Sequence, residues 1–409
     1  MKFICTLSLL FCFSFASAQR CATEEYINNQ PFSKTSGNSS VHSKMGRDLL
    51  NDEVIIIPVV VHVVYNNQTQ NISDQQILSQ IKSLNDDFRR RNADTVNTPN
   101  IFKQFAADTK IQFCLAKVDP SGKPTTGIIR KFTSKNQFLA DDEVKFSSKG
   151  GVDAWDATKY LNIWVCNLFG RTLGYSVLPG GPSERDGVVL KYNVFGTVGS
   201  ISSPYNKGRT ATHEIGHWLG LHHLWGNDVC GDDGIDDTPR QQASNTGCTT
   251  FPRISTCSEN QYGDMFMNYM DFSDDACMNL FTIGQKNAMR KHFAKGGFRN
   301  SFLESNVCGD DSEAGPLPVD SDPGKGDNLI VKVYPNPFAE KLIISSSTDN
   351  DLRGKTFTLY GATGIQIRSI VLQSQTTILE TSQLPAGIYF GKIDGVGKST
   401  MIKLAKLAR

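Results

Sequence analysis

The chain contains 409 residues, of which 39% are hydrophobic and 10% aromatic, and its formal net charge is +1. This length predicts two or three domains, and the composition suffices for ordinary hydrophobic cores. A nearly neutral charge without a basic tract argues against nucleic acid or an anionic membrane as a partner.

The N-terminus has the pattern of a secretory signal peptide. Lys2 precedes an apolar run that ends in the small residues ASA, so we predict a signal peptide over residues 1–18. The run is too short for a membrane anchor, and no other segment approaches the roughly 18 apolar residues of a membrane span. We therefore expect a protein that is secreted to the exterior or the cell surface, without an integral membrane span.

Residues 19–46 are polar and weakly patterned, and we interpret them as a pro-segment. The main domain is expected over residues 47–305. It begins with the β-branched run DEVIIIPVVVHVVY, in which Pro58 lacks an N–H and predicts an edge position or a break. The next helix opens with Ser73 and Gln76 in capping-box spacing. Four apolar residues then fall on one helical face: Ile77, Ile81, Leu84 and Phe88.

Three later segments have strand character: KIQFCLAKV, KYLNIWVCNLF and DGVVLKYNVF. A second helix follows over a histidine-rich segment, and this order of strand, helix, strands and helix predicts an α/β layer. Residues 306–328 are rich in Pro, Gly, Asp and Ser, which predicts a linker. Residues 329–409 alternate apolar and polar residues in short runs, which predicts a small β-sandwich.

The chain contains ten cysteines, two of which lie in the predicted signal peptide. The remaining cysteines of a secreted chain favour disulfides. Four of them crowd between residues 230 and 277, in a region with few apolar runs and many Gly, Asp and Thr residues. We expect disulfides to stabilise this region, because it has too few apolar residues for a core of its own.

The segment TATHEIGHWLGLHHLWG holds four of the chain's seven histidines. On a helix, His213 and His217 share a face because they are four residues apart. Gly220 allows a sharp turn at positive φ, which can bring His223 back as a third ligand. Three imidazoles and one water form an open tetrahedral zinc site. His222 is one residue out of register, and we regard it as a bystander.

Glu214 follows the first of these histidines directly and can lie beside the ion without binding it. A zinc ion lowers the pKa of its water to about 7, and a carboxylate at this place can take the proton and pass it to a leaving amine. The pattern thus predicts zinc-dependent hydrolysis of amide bonds. An adhesin on a scaffold that has lost catalysis would have no need of Glu214. A different zinc hydrolase, such as an amidase, is the other alternative.

The spacing His-Glu-x-x-His-x-x-Gly-x-x-His is the metzincin signature, and HEIGHWLGLHHLWG together with MNYMDFSDDACMNLFTIGQ resembles the pappalysin family of zinc endopeptidases. The resemblance covers roughly residues 50–300. It implies an α/β (α+β) metzincin fold with a twisted mixed sheet, a long helix carrying the zinc ligands and an irregular, disulfide-bonded lower lobe. It also implies that Met270 is the Met-turn methionine beneath the zinc ligands.

The resemblance implies further roles in the lower lobe. Asp275 would form the floor of the pocket for the residue after the scissile bond and select arginine or lysine; the alternative is a solvated acidic turn. Phe272 stands where the family often has a tyrosine whose hydroxyl helps to stabilise the tetrahedral intermediate, so we expect lowered activity. The implied disulfides are Cys230–Cys257 and Cys248–Cys277.

The loop CGDDGIDDTP packs four aspartates together, and hard oxygen ligands suit calcium. The family implies calcium near this loop, with Asp233, Asp236 and Thr238 as candidate ligands; the alternative is a polar turn.

Cys21 lies in the predicted pro-segment, and its thiolate would fill the fourth zinc position in a cysteine switch, as the latent form of a family member suggests. The alternative is a disulfide with Cys114, Cys166 or Cys308. Activation would then need cleavage of the arm, and the Gly46–Arg47 bond fits self-cleavage before arginine.

The C-terminal residues contain VYPNPFAEKLIISSS, LPAGIYFGKI and KSTMIKLAK in this order. Together they resemble the C-terminal sorting domain of Bacteroidetes type IX secretion, which implies the type IX secretion machinery as a partner. The alternative is a carbohydrate-binding module, for which no aromatic platform is evident. Protein or peptide substrates are the other expected partners.

Overall fold

A computed structural model of the chain describes the residues 20–28, 53–226, 228–257, 262–309, 331–334, 336–346, 355–361, 365–372, 374, 376–394 and 401–407. The predicted signal peptide, the Gly46–Arg47 bond, most of the predicted pro-segment and most of the predicted linker lie outside these residues. The chain divides into two compact units between Ala314 and Gly315. Within the described residues, no helix combines the length and the apolar character needed to span a membrane.

The first unit contains a mixed six-stranded sheet. Its strands are β1 (Ile55–Tyr65), β2 (Ile111–Leu115), β3 (Ile128–Phe132), β4 (Leu161–Cys166), β5 (Gly174–Ser176) and β6 (Val188–Lys191). The order is β2-β1-β4-β6-β5, with β3 also paired to β1. All pairs are parallel except β5 with β6, so the sheet ends in a short antiparallel edge strand.

Pro58 lies inside a continuous central strand, and the predicted edge position or break is therefore wrong for β1 as a whole. The missing N–H is tolerated for a local reason. The residues up to Pro58 pair with β2, whereas pairing with β4 begins one residue later, at Val59 with Leu161. Pro58 thus lies where β1 is paired with β2 but not yet with β4, so the strand tolerates a residue without an N–H there.

Two main helices cover one face of the sheet, and three shorter helices complete the unit. The helices are α1 (Thr23–Asn28), α2 (Asp74–Phe88), α3 (Asn100–Lys103), α4 (Arg209–Trp218) and α5 (Ile283–Arg290). The Ser73 side chain caps α2 by accepting a hydrogen bond from the Gln76 N–H at 3.1 Å. The Gln76 side chain donates instead to the carbonyls of Tyr192 and Phe195. The four apolar residues predicted for one face of α2 are all buried in the core that α2 and α4 share with the sheet.

The lower part of this unit has little regular structure before α5. Disulfides join Cys230 to Cys257 and Cys248 to Cys277, the two pairs that the family resemblance implies. A third disulfide joins Cys114 to Cys308 and ties β2 to the end of the unit. The first two cross-links lie where the sequence offers few apolar runs.

The second unit consists of two antiparallel sheets. Its strands are β7 (Val331–Tyr334), β8 (Lys341–Ser346), β9 (Thr356–Gly361), β10 (Gln366–Val371), β11 (Thr376–Glu380), β12 (Gly387–Asp394) and β13 (Met401–Lys406). One sheet has the order β10-β9-β12-β13 and the other β11-β8-β7. Both contribute to one core, which includes Ile344, Leu359 and Leu404, as expected of a β-sandwich.

Candidate metal centre

Three imidazoles converge on one point at the end of α4. The Nε2 atoms of His213 and His217 are 3.1 Å apart, and those of His223 lie 3.2 Å and 3.0 Å from them. Two ligand atoms of a tetrahedral zinc site with bonds of about 2.0–2.1 Å are about 3.3 Å apart. All three side chains are buried. The donor set and its spacing therefore suit one zinc ion.

The helix and the turn after it explain this convergence. All ten residues of α4 are buried, and its first two histidines are one turn apart. Gly220 has a φ of 87°, and a Cβ there would collide with the His292 ring. The chain reverses at this glycine, with Leu221 N donating to the Gly216 carbonyl at 3.0 Å. His223 consequently points back at the helix, while His222 is exposed.

The outer nitrogens of the three ligand histidines define their tautomers. Each Nδ1 faces an oxygen that can only accept: His213 the Tyr269 carbonyl at 2.7 Å, His217 the Leu221 carbonyl at 2.8 Å, and His223 the Glu24 carboxylate at 2.8 Å. Each Nδ1 therefore carries the proton, and each Nε2 lone pair faces the centre. Burial lowers the pKa of all three imidazoles, that of His223 to about 3, which favours the neutral form that binds a metal.

Met270 and Phe272 lie directly against the ligand histidines. Met270 is fully buried, and its Sδ packs so closely under Gly216 of α4 that a Cβ there would lie 2.5 Å away. The Phe272 ring centroid is 4.8 Å from that of His223 and 5.7 Å from that of His213. Phe272 thus packs at the centre without a hydroxyl group to offer it.

Glu214 is fully buried beside the three histidines and faces the edge strand β5. Its Oε2 accepts hydrogen bonds from the hydroxyls of Ser176, at 2.9 Å, and Thr23, at 3.0 Å. Its Oε1 has no hydrogen-bond partner. Burial raises the pKa of the carboxyl to about 7, against the effect of these hydrogen bonds. Gly174 leaves room for Glu214, because a Cβ there would lie 2.8 Å from its Cγ.

Cys21 is the fourth residue of this cluster and forms no disulfide. Its Sγ and the ligand atoms of the three histidines lie within 4.8 Å of one another, the one such group found within the described part of the chain. The segment runs parallel to β5, with Leu173 N donating to the Arg20 carbonyl and Ala22 N to the Gly174 carbonyl, both at 3.0 Å. Burial and the nearby Glu214 raise the pKa of the thiol.

Asp275 is fully buried and holds an arginine from the N-terminal segment. The Arg20 Nη2 lies 3.0 Å from its Oδ1, and Arg20 Nη1 donates to the Ser273 carbonyl. The other carboxylate oxygen, Oδ2, accepts from the backbone N–H groups of Lys207 and Arg209 at 2.8 Å and 3.2 Å. Asp275 is therefore a buried carboxylate paired with a guanidinium, and the alternative of a solvated turn is wrong.

The structure only partly brings together the candidate calcium ligands. The Thr238 hydroxyl donates to Asp233 Oδ1 at 2.8 Å, whereas Asp236 is exposed. Asp233 Oδ2 is buried and has no hydrogen-bond partner. Burial raises the pKa of this carboxyl to about 7. Asp233 is thus the candidate residue of this loop with a buried carboxyl oxygen that lacks a hydrogen-bond partner.

Four residues of the site were not identified from the sequence: Arg20, Thr23, Glu24 and Ser176. Three of them belong to the short segment that pairs with β5, and the fourth lies on β5 itself. For the first three, nearness to Cys21, the candidate fourth ligand, was the one usable signal. Ser176 had none, because a three-residue strand has no recognisable pattern.

Comparisons with known proteins agree with this geometry. Residues 146–294 match the peptidase family M43 model described as pregnancy-associated plasma protein-A, and residues 332–406 match a secretion system C-terminal sorting domain. An extracellular metalloprotease from Arthroderma benhamiae is 32% identical over 242 residues, which cover 57% of this chain and 75% of that protein. Another, from Sordaria macrospora, is 36% identical over 142 residues, so that the chain spans 48% of its length.

Solved structures of similar proteins include mirolysin. A complex of mirolysin with a small compound is 54% identical, covers 61% of this chain and 96% of that one, and superposes with a TM-score of 0.60. A promirolysin mutant from Tannerella forsythia is 51% identical, covers 63% of this chain and 86% of that one, and has a TM-score of 0.61.

Proposed function

The chain belongs to the pappalysin family of metalloproteases, and from this premise we propose that it is a secreted zinc endopeptidase made as a latent precursor. The observation that carries the proposal is the convergence of three neutral imidazoles beside the buried carboxylate of Glu214. The sorting-domain match supports export through a type IX secretion machinery.

His213, His217 and His223 would hold the zinc ion, which supplies Lewis acidity for water and for a peptide carbonyl when it is bound. Glu214 accepts a proton on Oε1, the oxygen without a partner, and returns it to the leaving amine. Ser176 orients the carboxylate through Oε2.

Asp275 is proposed to select arginine or lysine after the scissile bond. The ion pair with Arg20 supports this assignment, because the guanidinium of this arginine has both a charge partner in Asp275 and a carbonyl acceptor in Ser273. Arg20 then stands where the arginine of a substrate would bind.

Latency is proposed to depend on the segment around Cys21. Its thiolate would take the fourth position at the zinc, where a catalytic water is needed. Thr23 occupies a hydrogen-bonding site of Glu214, and Glu24 orients His223. This segment therefore blocks the metal, the base and the proposed specificity pocket together, and its removal would activate the enzyme.

Calcium at the aspartate loop is proposed with Asp233 as its principal ligand. The buried and unpartnered Oδ2 supports this, since a cation would compensate its charge. Addition of calcium should raise the melting temperature of the wild type more than that of Asp233→Asn. Equal shifts of the melting temperature in both proteins would contradict calcium binding at this loop.

Digestion of a denatured proteome tests the proposed activity. The processed protein should cleave before arginine and lysine, and a zinc chelator or the Glu214→Ala substitution should abolish cleavage. Cleavage that persists in Glu214→Ala would exclude the proposed base, and cleavage before other residues would exclude the role of Asp275.

A further inference from the structure

Tyr26 of the N-terminal segment lies in a cage on the other side of the edge strand from Glu214. Its hydroxyl donates to Asp142 Oδ2 at 2.6 Å, and its ring centroid is 5.1 Å from that of Tyr175. The Lys145 Nζ lies 5.4 Å from the Tyr26 ring centroid, within the range of a cation–π interaction. Only 5% of Tyr26 is exposed. The cage thus recognises both the ring and the hydroxyl of a tyrosine.

The walls of the cage are positioned independently of Tyr26. Lys145 Nζ lies 2.8 Å from Asp142 Oδ1 and donates to the Arg185 carbonyl at 2.8 Å. It also lies 5.0 Å and 5.4 Å from the ring centroids of Tyr175 and Trp164. The Asp142 N–H donates to the Tyr175 hydroxyl at 3.3 Å. These bonds all join residues of the main domain, so none of them depends on the N-terminal segment.

The cage lies beside the metal centre along the edge strand. Gly174 of β5 pairs with Cys21, and the next residue, Tyr175, is a wall of the cage. The Arg20 carbonyl accepts from Leu173 N, and the Thr23 hydroxyl accepts from Ser176 N, each at 3.0 Å. The segment thus advances along β5, with Arg20 at one end of the strand and the residues leading to Tyr26 at the other. Two extended and three helical residues from Cys21 to Tyr26 span at most about 11 Å, which an extended peptide covers in about three or four residues.

We propose that Asp142, Lys145, Trp164 and Tyr175 form a substrate subsite for a tyrosine side chain, three or four residues before the scissile bond. Tyr26 occupies this subsite in the latent chain, whose residues run parallel to β5. The proposed substrate would run in the opposite direction, because its tyrosine precedes its arginine. The inference rests on the proposed function, because it assigns the residue after the scissile bond to the Asp275 pocket. The subsite distinguishes tyrosine from phenylalanine, since a phenyl ring lacks the hydroxyl that donates to Asp142 Oδ2.

Peptide hydrolysis by the processed, zinc-loaded enzyme tests the subsite. Matched peptides would carry arginine after the scissile bond and tyrosine, phenylalanine or alanine at the third or the fourth position before it. We expect kcat/KM to be at least about tenfold higher for tyrosine than for phenylalanine at one of these positions. Equal values for all three residues would overturn the proposal. Failure to cleave any of the peptides would instead contradict the proposed function.

The Asp142→Asn variant tests whether the cage causes the preference for tyrosine. The ratio of kcat/KM for the tyrosine and phenylalanine peptides should fall toward one, and a ratio that stays at the wild-type value would overturn the assignment. A synthetic peptide of residues 20–28 provides a measurement on the wild-type enzyme. Its inhibition constant should rise about tenfold when Tyr26 is replaced by phenylalanine, and an unchanged constant would contradict the inference.

Discussion

Arg20 makes contacts of the kind that a bound substrate would make. Its guanidinium lies 3.0 Å from the Asp275 carboxylate and 4.8 Å from the ring centroid of Tyr205. The segment therefore combines a substrate-like side chain with a thiol at the metal centre. Cleavage of the segment is prevented in this proposal because the thiol, rather than a water, faces the zinc.

Replacement of Arg20 by alanine should weaken latency. The substitution leaves Asp275 buried without its charge partner, which costs about 3–5 kcal/mol, and the docked state of the segment loses this amount. We expect the purified precursor to convert to the processed form at least tenfold faster, as measured on gels over time. Arg130→Ala, which removes a more exposed ion pair with Asp74, is the control. Equal rates in both variants would contradict the role of Arg20.

The Asp275→Asn variant tests specificity in the processed enzyme. Loss of the carboxylate should lower kcat/KM for a peptide with arginine after the scissile bond by about 100-fold or more, since a buried charge pair is lost. Asp274→Asn is a matched control. It changes the neighbouring carboxyl, whereas the ion pair with Arg20 is formed by Asp275. A similar loss in the two variants would indicate a general effect on the loop.

The Phe272→Tyr variant should increase turnover. The ring lies against His213 and His223, so a hydroxyl added to it would provide a donor near the reacting carbonyl oxygen. We expect a higher kcat with little change in KM for one arginine peptide. An unchanged kcat would contradict the hypothesis that the missing hydroxyl limits activity.

At the scale of elements, the edge strand β5 contacts both Glu214, the proposed base, and the N-terminal segment. Its two ends differ in function: Gly174 pairs with Cys21, and Ser176 donates to Glu214. Antiparallel pairing to β6 leaves the other edge of β5 available to an added chain. The same edge is therefore the place where a peptide substrate would align.

The Gly174→Ala variant tests how closely β5 and α4 must approach. The added Cβ would lie 2.8 Å from Cγ and 2.9 Å from Oε1 of Glu214, so the carboxylate must shift. We expect kcat to fall at least tenfold while the zinc content of the protein stays at one ion per chain. Loss of zinc together with activity would place the effect on the fold of the site rather than on the base.

At the scale of the whole molecule, the two units have separate cores. The first is built on both faces of the mixed sheet, and the second lies between the two sheets of the C-terminal unit. A ligand that binds one folded unit stabilises that unit by mass action. Metal binding should therefore act on the first unit alone.

Calorimetry of the processed enzyme that retains both units tests this separation. We expect two unfolding transitions, of which a zinc chelator lowers one by several degrees and leaves the other unchanged. His223→Ala should reproduce the lower transition without chelator, while His222→Ala should behave as the wild type. A single transition, or a shift of both, would contradict independent units.

Much of the fold follows from local patterns in the chain. The apolar face of α2, the strands β1, β2, β4 and β6, and the helix with two histidines four residues apart were predicted because each depends on neighbours within about ten positions. Gly220 was predictable as the turn because positive φ favours glycine. The strands β3 and β5 were not predicted, since one is mostly exposed and the other has three residues.

The sequence by itself determined that His213, His217 and His223 converge beside Glu214, because their spacing along one helix and one turn sets their geometry. Only the tertiary structure decided what surrounds them. Arg20 meets Asp275 across 255 positions, and Tyr26 meets Asp142 across 116. Such contacts arise when a sheet edge is paired and two faces are packed, and no local pattern encodes which distant residue will reach that edge.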